Sequence, residues 1–140
     1  MKRRRRTEIL IKGSVETSKK LAEEIINNYD IKTIEKPNSG LVMIKIRETA
    51  KKNLFYLGEV LVTEAKVQIE EHMGMGIVQD NKPELAYYLA VIDAAYNADL
   101  EETKLWTNIL LEEEKRISEK KNKHQAQVLK TKVNFETMDV

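Results

Sequence analysis

Residues Gly58–Ile69 read GEVLVTEAKVQI. Taken by twos, Leu61, Thr63, Ala65, Val67 and Ile69 fall on one face of an extended chain, because successive side chains of a strand point to opposite sides. Val60, Val62, Glu64, Lys66 and Gln68 fall on the other. The alternation reads as a strand with one mostly apolar side. EEHMGMG follows at once, and GMGIVQ, Gly74–Gln79, reads as the next and last strand, so the two form a hairpin. Gly74 and Gly76 at its start suit a bulge or a close packing contact. They could also offer backbone amides to a phosphate, but the spacing and following lysine of a P-loop are missing.

Upstream, Asn53–Ile69 is longer than the usual strand of about five or six residues, which predicts a bend or bulge at Gly58. LVMIKIRE, Leu41–Glu48, reads as another strand, joined to it by the polar stretch AKKN. Ile31–Lys36 is a short alternating strand. Between these two, Pro37-Asn38-Ser39-Gly40 reads as a turn, with proline presetting one dihedral and glycine free to take a positive one.

Helical periodicity brackets the strands. Residues 14–28 repeat Val15, Ala22, Ile25, Ile26 and Tyr29 at helical spacing, with Ser14 as the N-cap. Ile9 and Leu10 would anchor one more short helical stretch before Gly13. After the strands, Asp80 or Asn81 can cap a helix with Pro83 near its start and Leu85, Tyr88, Leu89, Ile92 and Ala95 on one face. A second helix begins near Asp99, with Leu105, Trp106, Ile109, Leu110 and Ile117 as its stripe. Beyond Ile117 the stripe stops, so a continuing helix would project into solvent or lie on another chain. KVNFETM, Lys132–Met138, places Val133, Phe135 and Met138 in an otherwise polar tail.

The expected fold is α+β: a mostly antiparallel sheet of four or five strands, with an N-terminal helix and two C-terminal helices packed on one side, plus an extended C-terminal tail. The other face of the sheet should carry more polar residues unless a partner covers it. The 140 residues read as a single domain, 1–140, with a basic, partly frayed N-terminus at 1–12 and a partner-binding tail at 127–140.

Composition excludes several classes. There is no cysteine, hence no disulfide, thiolate nucleophile or Cys-based zinc site. The net charge of +1 gives no reason to expect a nucleic-acid partner, even with Arg3 to Arg6 in a row. The apolar part after MKRRRR is too short for an export signal, and no run approaches the roughly 18 apolar residues of a membrane span. A cytoplasmic protein is expected.

Catalytic candidates are few. His72 and His124 lack the spacing of metal ligands. Glu59 and Glu64 lie on opposite faces of a regular strand and make a poor acid–base pair. Asp93, inside AVIDAA, is either paired with a cation or amide, Arg47 being one candidate, or part of a site. The run EEEKR, Glu112–Arg116, reads as a solvated helix face. A free-standing nucleotide or phosphate-ester enzyme would have to use Asp93, Glu64 or His72 as its base, with Arg47 and the Gly74–Gly76 amides as anion contacts.

Four patches resemble a known family. Gly58-Glu59-x-Leu61-x-Thr63-x-Ala65-x-Val67 is similar to the G-(D/E)-x-L-x-T-x-A-x-V pattern of the G subunit of the bacterial carbon–phosphorus lyase core complex, the phosphonate metabolism protein PhnG family, and Gly76 falls where that family keeps a glycine. Ala90, Asp93 and Ala94 match its helical A-E-x-x-A-x-x-D-A segment, although Leu85-Ala86 stands in place of Ala-Glu. Val133, Asn134, Phe135 and Met138 match its closing V-(D/N)-F-x-x-M, and Ser39-Gly40-Leu41-Val42 its T-G-L-V. Gln79 to Asn81 departs from the G-R-D-like turn of relatives, so a charged contact made by that arginine is not expected here.

The resemblance implies a role in phosphonate breakdown. The G, H, I and J subunits of that system form a two-fold assembly holding two copies of each, and G works with H, I and L to replace the adenine of ATP by methylphosphonate. The product is ribose 1-methylphosphonate 5-triphosphate, formed by a pentosyl transferase complex in which I is the nucleosidase. The family has no established catalytic residues, and no cofactor bound by this subunit is expected. The resemblance therefore implies a required subunit without activity of its own, held chiefly by the I and J subunits, with Gly58, Glu59, Leu61, Thr63, Ala65, Gly76, Asp93, Val133, Phe135 and Met138 as motif or interface positions.

Overall fold

In a computed structural model the elements run α1 (Arg3–Lys12), α2 (Val15–Asn28), β1 (Ile31–Arg47), β2 (Leu54–Ile69), β3 (His72–Gln79), α3 (Pro83–Asn97) and α4 (Glu101–Met138). The structure describes the backbone of residues 1–47, 50 and 54–138, with side chains throughout except at 44, 46–47, 54–57 and 130–138. The architecture is mixed α+β: helices and an antiparallel sheet of order β1-β2-β3.

Among the described residues the sheet has three strands, not four or five. The turn expected at Pro37–Gly40 does not form. β1 runs straight through it, paired with β2 from Ile31↔Ile69 to Arg47↔Leu54. Register shifts between Thr33 and Glu35 and between Glu35 and Asn38 absorb the extra residues as bulges. Pro37 is tolerated because β1 is an edge strand, where a missing N–H costs no ladder bond. No glycine has a positive φ, so Gly40 does not use its turn freedom. The other predicted irregularity is found: Ile44 pairs with Gly58 and Lys45 with Tyr56, a bulge beside Gly58. The β2–β3 hairpin closes in two residues after Ile69↔His72, with Glu70 in the left-handed region at φ 56°.

Thr63, Ala65, Val67 and Ile69 are buried on one face of β2, and Gly74, Gly76 and Val78 on the same face of β3. α3 lies on this face, and its other side packs on α2 through Leu21, Ala22 and Ile25. It is therefore buried over most of its circumference, from Leu85 and Ala86 to Ala94 and Ala95, rather than along one stripe. The two glycines make this seating possible. A Cβ at Gly76 would fall on the carbonyl oxygen of Ala86 and the nitrogen of Ala90, and one at Gly74 on the carbonyl of Ala90 and the nitrogen of Ala94. Alanines four apart on α3 thus ride directly over strand glycines, and close packing accounts for Gly74 and Gly76.

Ser14 caps α2 as expected, accepting from the Glu16 amide at 3.2 Å. Neither Asp80 nor Asn81 caps α3; Lys82 holds that position, and its amide donates to the Thr63 hydroxyl at 3.0 Å. The basic start is a helix, not a frayed end, and Arg6, Ile9 and Leu10 are buried. In α4, Trp106 and Leu110 are buried but Leu105 is 70% exposed. Ile109 and Ile117 pack against the core as expected, and Thr103 and Glu113 join Trp106 and Leu110 as the buried positions of the stripe. After Ile117 the described side chains are exposed, and the helix reaches Met138, so the tail is not extended. No helix among the described residues is long and apolar enough to cross a membrane.

Candidate functional site

Asp93 is the centre of an ion cluster. Its carboxylate, 6% exposed, accepts from Arg3 Nε and Nη2 at 3.0 Å each, from Arg6 Nη2 at 2.9 Å and from the Met75 amide at 3.0 Å. Two donors reach each oxygen, which fills the lone-pair positions of an ionised carboxylate. The guanidinium of Arg6 stacks 4.0 Å over the Tyr96 ring, and Tyr96 meets Trp106 edge-on with centroids 5.8 Å apart. Burial lowers the Arg6 pKa from the usual arginine value, and the charge of Asp93 opposes that shift.

This cluster closes part of an edge. β3 is the last strand on its side, so alternate backbone groups of it lack a ladder partner. Asp93 takes the Met75 amide, and one turn later Asn97 Nδ2 donates to the Met73 carbonyl at 2.7 Å. α3 therefore satisfies two backbone groups on the free rim of β3, one of the ways proteins protect sheet edges. Asp93 acts as a clamp between α1, α3 and β3, and its full set of donors leaves it no free lone pair to act as a base. The amide partner expected for it is present; the cations are Arg3 and Arg6, and the side chain of Arg47 is outside the described residues.

Thr63 ties the other end of the layer. Its hydroxyl donates to the Asp80 carbonyl at 2.6 Å and accepts from the Lys82 amide, fixing the turn into α3. Ala65 lies on the buried face opposite Gly76. Glu113, read as solvated, is buried, and accepts from the Ser14 amide at 2.9 Å, Thr17 Oγ1 at 3.2 Å and Arg116 Nη1 at 2.8 Å. Its spacing from Trp106 and Leu110 on α4 was the available signal. Arg6 had a similar one, being on the face of Ile9 and Leu10.

The remaining motif positions lie elsewhere. β3 pairs with β2 only from Val62 to Ile69, whereas β1 and β2 stay paired out to Arg47 and Leu54. Their distal parts form a two-stranded ribbon that overhangs the sheet by about 25 Å at the usual rise. Leu41 is 65%, Val42 48%, Met43 53% and Leu61 42% exposed. Leu41 and Leu61 are cross-strand partners on the face that carries Thr63, and Val42 pairs with Val60 on the other. Both faces of the ribbon are therefore apolar. Gly58 and Glu59 belong to it; a Cβ at Gly58 would meet nothing within 4 Å. A lone two-stranded ribbon is marginal in water and is normally supported on a face.

The outer face of β3 adds exposed Met73, Met75 and Ile77, beside the polar Glu64, Lys66 and Gln68 of β2. Next to Met75 and Ile77, α1 walls an open groove with Arg3, Arg4, Ile11 and Lys12. Two of its three cations are paired, Arg3 with Asp93 and Lys12 with Glu8. Glu64 lies on the face of β2 opposite the one that α3 covers, and among the described residues no group of three acidic or histidine side chains could hold a metal. Val133, Phe135 and Met138 lie in α4, with side chains outside the described set.

A family model described as Phosphonate metabolism protein PhnG matches residues 1–139. No curated protein matches the chain.

Proposed function

The chain belongs to the PhnG family of phosphonate metabolism proteins, and we propose that it is a non-catalytic but required subunit of the carbon–phosphorus lyase core complex. In this reading it supports the formation of ribose 1-methylphosphonate 5-triphosphate from ATP and methylphosphonate in the cytoplasm. It is held chiefly by the I and J subunits, with two copies per complex, and acts with H and L. It binds no cofactor of its own.

The observation that carries this reading is the ribbon, which exposes Leu41, Val42, Met43 and Leu61 on two faces. Apolar surface of this kind, left uncovered among the described residues, marks a protein contact. The engagement of Asp93 by four donors supports the non-catalytic part, because the most suggestive acid in the sequence is committed to structure. The test is conversion of ATP and methylphosphonate by the H, I and L subunits with and without this chain. Product is expected only when the chain is present, and none from the chain alone. Undiminished product without it, or turnover by the isolated chain, would contradict the reading.

A further inference from the structure

The groove between α1 and β3 presents three kinds of surface. The first is apolar: Ile11, Met75 and Ile77 line it and are exposed. The second is cationic, with Arg3, Arg4 and Lys12 against Glu8 alone. Arg3 is taken by Asp93, and Lys12 donates to Glu8 at 2.6 Å. Among the described residues the Arg4 guanidinium has no ion pair or hydrogen bond, so one cation of the groove is left over.

The third surface is backbone. The Met75 amide points to the rim of β3, where Asp93 takes it, and so does the Met73 carbonyl, which Asn97 takes. In an antiparallel strand the residues that turn both backbone groups to the rim alternate, so Ile77 turns its amide and carbonyl the same way. Among the described residues nothing bonds them. The rim is tied at Met73 and Met75 and free at Ile77, beside the unpaired arginine.

We propose that this groove receives a short extended segment of another protein, in which apolar and acidic residues alternate. Alternation along an extended chain lays the apolar side chains beside Met75 and Ile77 and turns the carboxylates to α1, where one meets Arg4. An unpartnered guanidinium matches a carboxylate through two parallel bonds. Ile77 supplies one two-bond backbone pair, a brief case of strand addition. The leftover charge sets the sign of the occupant, and the free backbone groups select a polypeptide. A nucleotide fits worse. One unengaged cation is few for a polyphosphate, and no aromatic side chain lines the groove to stack a base. At about 760 Å³ the groove has room, but its open side would leave a small molecule largely in water, unlike the concave sites that enclose such ligands. This surface is separate from the ribbon, and the inference does not depend on membership of the complex.

Methyl NMR on the isolated full chain tests it, with an eight-residue peptide of alternating leucine and glutamate as the probe. Titration should shift the Ile11, Met75 and Ile77 methyl signals to saturation and slow exchange of the Ile77 amide. The same peptide with glutamine for glutamate should bind about tenfold more weakly, the loss expected for one charge-assisted pair. Arg4→Gln should weaken the acidic peptide by a similar factor while keeping the urea midpoint. Equal binding of the two peptides, or no saturable shift with either, overturns the proposal and leaves the proposed function standing. Saturable shifts with ATP or inorganic phosphate but not with the peptide overturn it in favour of small anions. Shifts that grow with the concentration of the chain alone overturn it in favour of a second copy.

Discussion

Thr63 carries a hydroxyl where the alternation asks only for a buried side chain. Thr63→Val keeps the shape and removes the donor to Asp80 and the acceptor for Lys82. The cost should be about 1–3 kcal/mol in urea unfolding, the usual penalty for stranding buried backbone groups, while Thr63→Ser should lose less. The glycines give a contrast at the same scale. Gly76→Ala places a methyl against backbone atoms of α3, which cannot yield as a side-chain tip can. It should destabilise by about 3 kcal/mol, the upper part of the overpacking range. Gly58→Ala, in open space and without a positive φ, should be neutral or slightly stabilising. Asp93→Asn leaves two guanidinium groups against one neutral amide and should cost about 3 kcal/mol. Because Asp93 is a clamp, the assembled complex should keep its turnover at temperatures where the variant is folded; lost turnover with unchanged stability would make it a site residue. Of these residues the sequence marked Asp93 by its apolar neighbours. Its partners Arg3 and Arg6 lie some ninety positions away, a pairing that leaves no local pattern.

At the scale of elements, α1 is held by ion pairs as well as by Ile9 and Leu10. The exposed Arg5–Glu114 contact ties it to α4, and its hydrogen bond to Arg5 holds the Glu114 pKa below the usual carboxylate value. A depressed folded pKa contributes stability that is present above the unfolded pKa and is lost as pH falls through the folded one. Acidification through and below the ordinary carboxylate range should therefore loosen α1, read as faster amide exchange in residues 3–12, before the sheet opens. α4 behaves as two parts. Through Ile117 it packs on the core, and from Ser118 to Leu129 its side chains are exposed. Replacing the exposed Lys120 and Lys123 by alanine should leave the unfolding free energy within about 0.5 kcal/mol, the usual effect of surface substitutions. The helices were legible because their 3.6-residue period persists in the sequence. β1 was not, because proline and glycine chemistry at residues 37–40 is the same in a turn and in a bulged edge strand; what decides is the long partner strand across from it. The overhang followed the same logic: the alternation showed which residues of β2 share a face, but not that β3 stops at Val62.

The whole molecule combines a closed core with an open flank. α3, with its small residues over Gly74 and Gly76, seals the sheet on one side, and Asp93 and Asn97 seal the β3 rim at Met75 and Met73. Among the described residues nothing comparable seals the ribbon or the rim of β1 at Asn38–Ile44. Motif residues sort accordingly: Thr63, Ala65, Gly76 and Asp93 serve the closed part, whereas Gly58, Glu59 and Leu61 sit on the flank. In the proposed role the partners supply that cover, and the ribbon offers them a preformed pair of strands. The most direct measurement is to draw the I subunit by an affinity tag from cells expressing the full set of phosphonate subunits and to weigh what accompanies it by native mass spectrometry. The account predicts this chain in the assembly at one copy per I subunit, and its absence when Leu41 and Leu61 are both changed to lysine. A chain that stays in the unbound fraction, or that binds undiminished with both lysines in place, would contradict it.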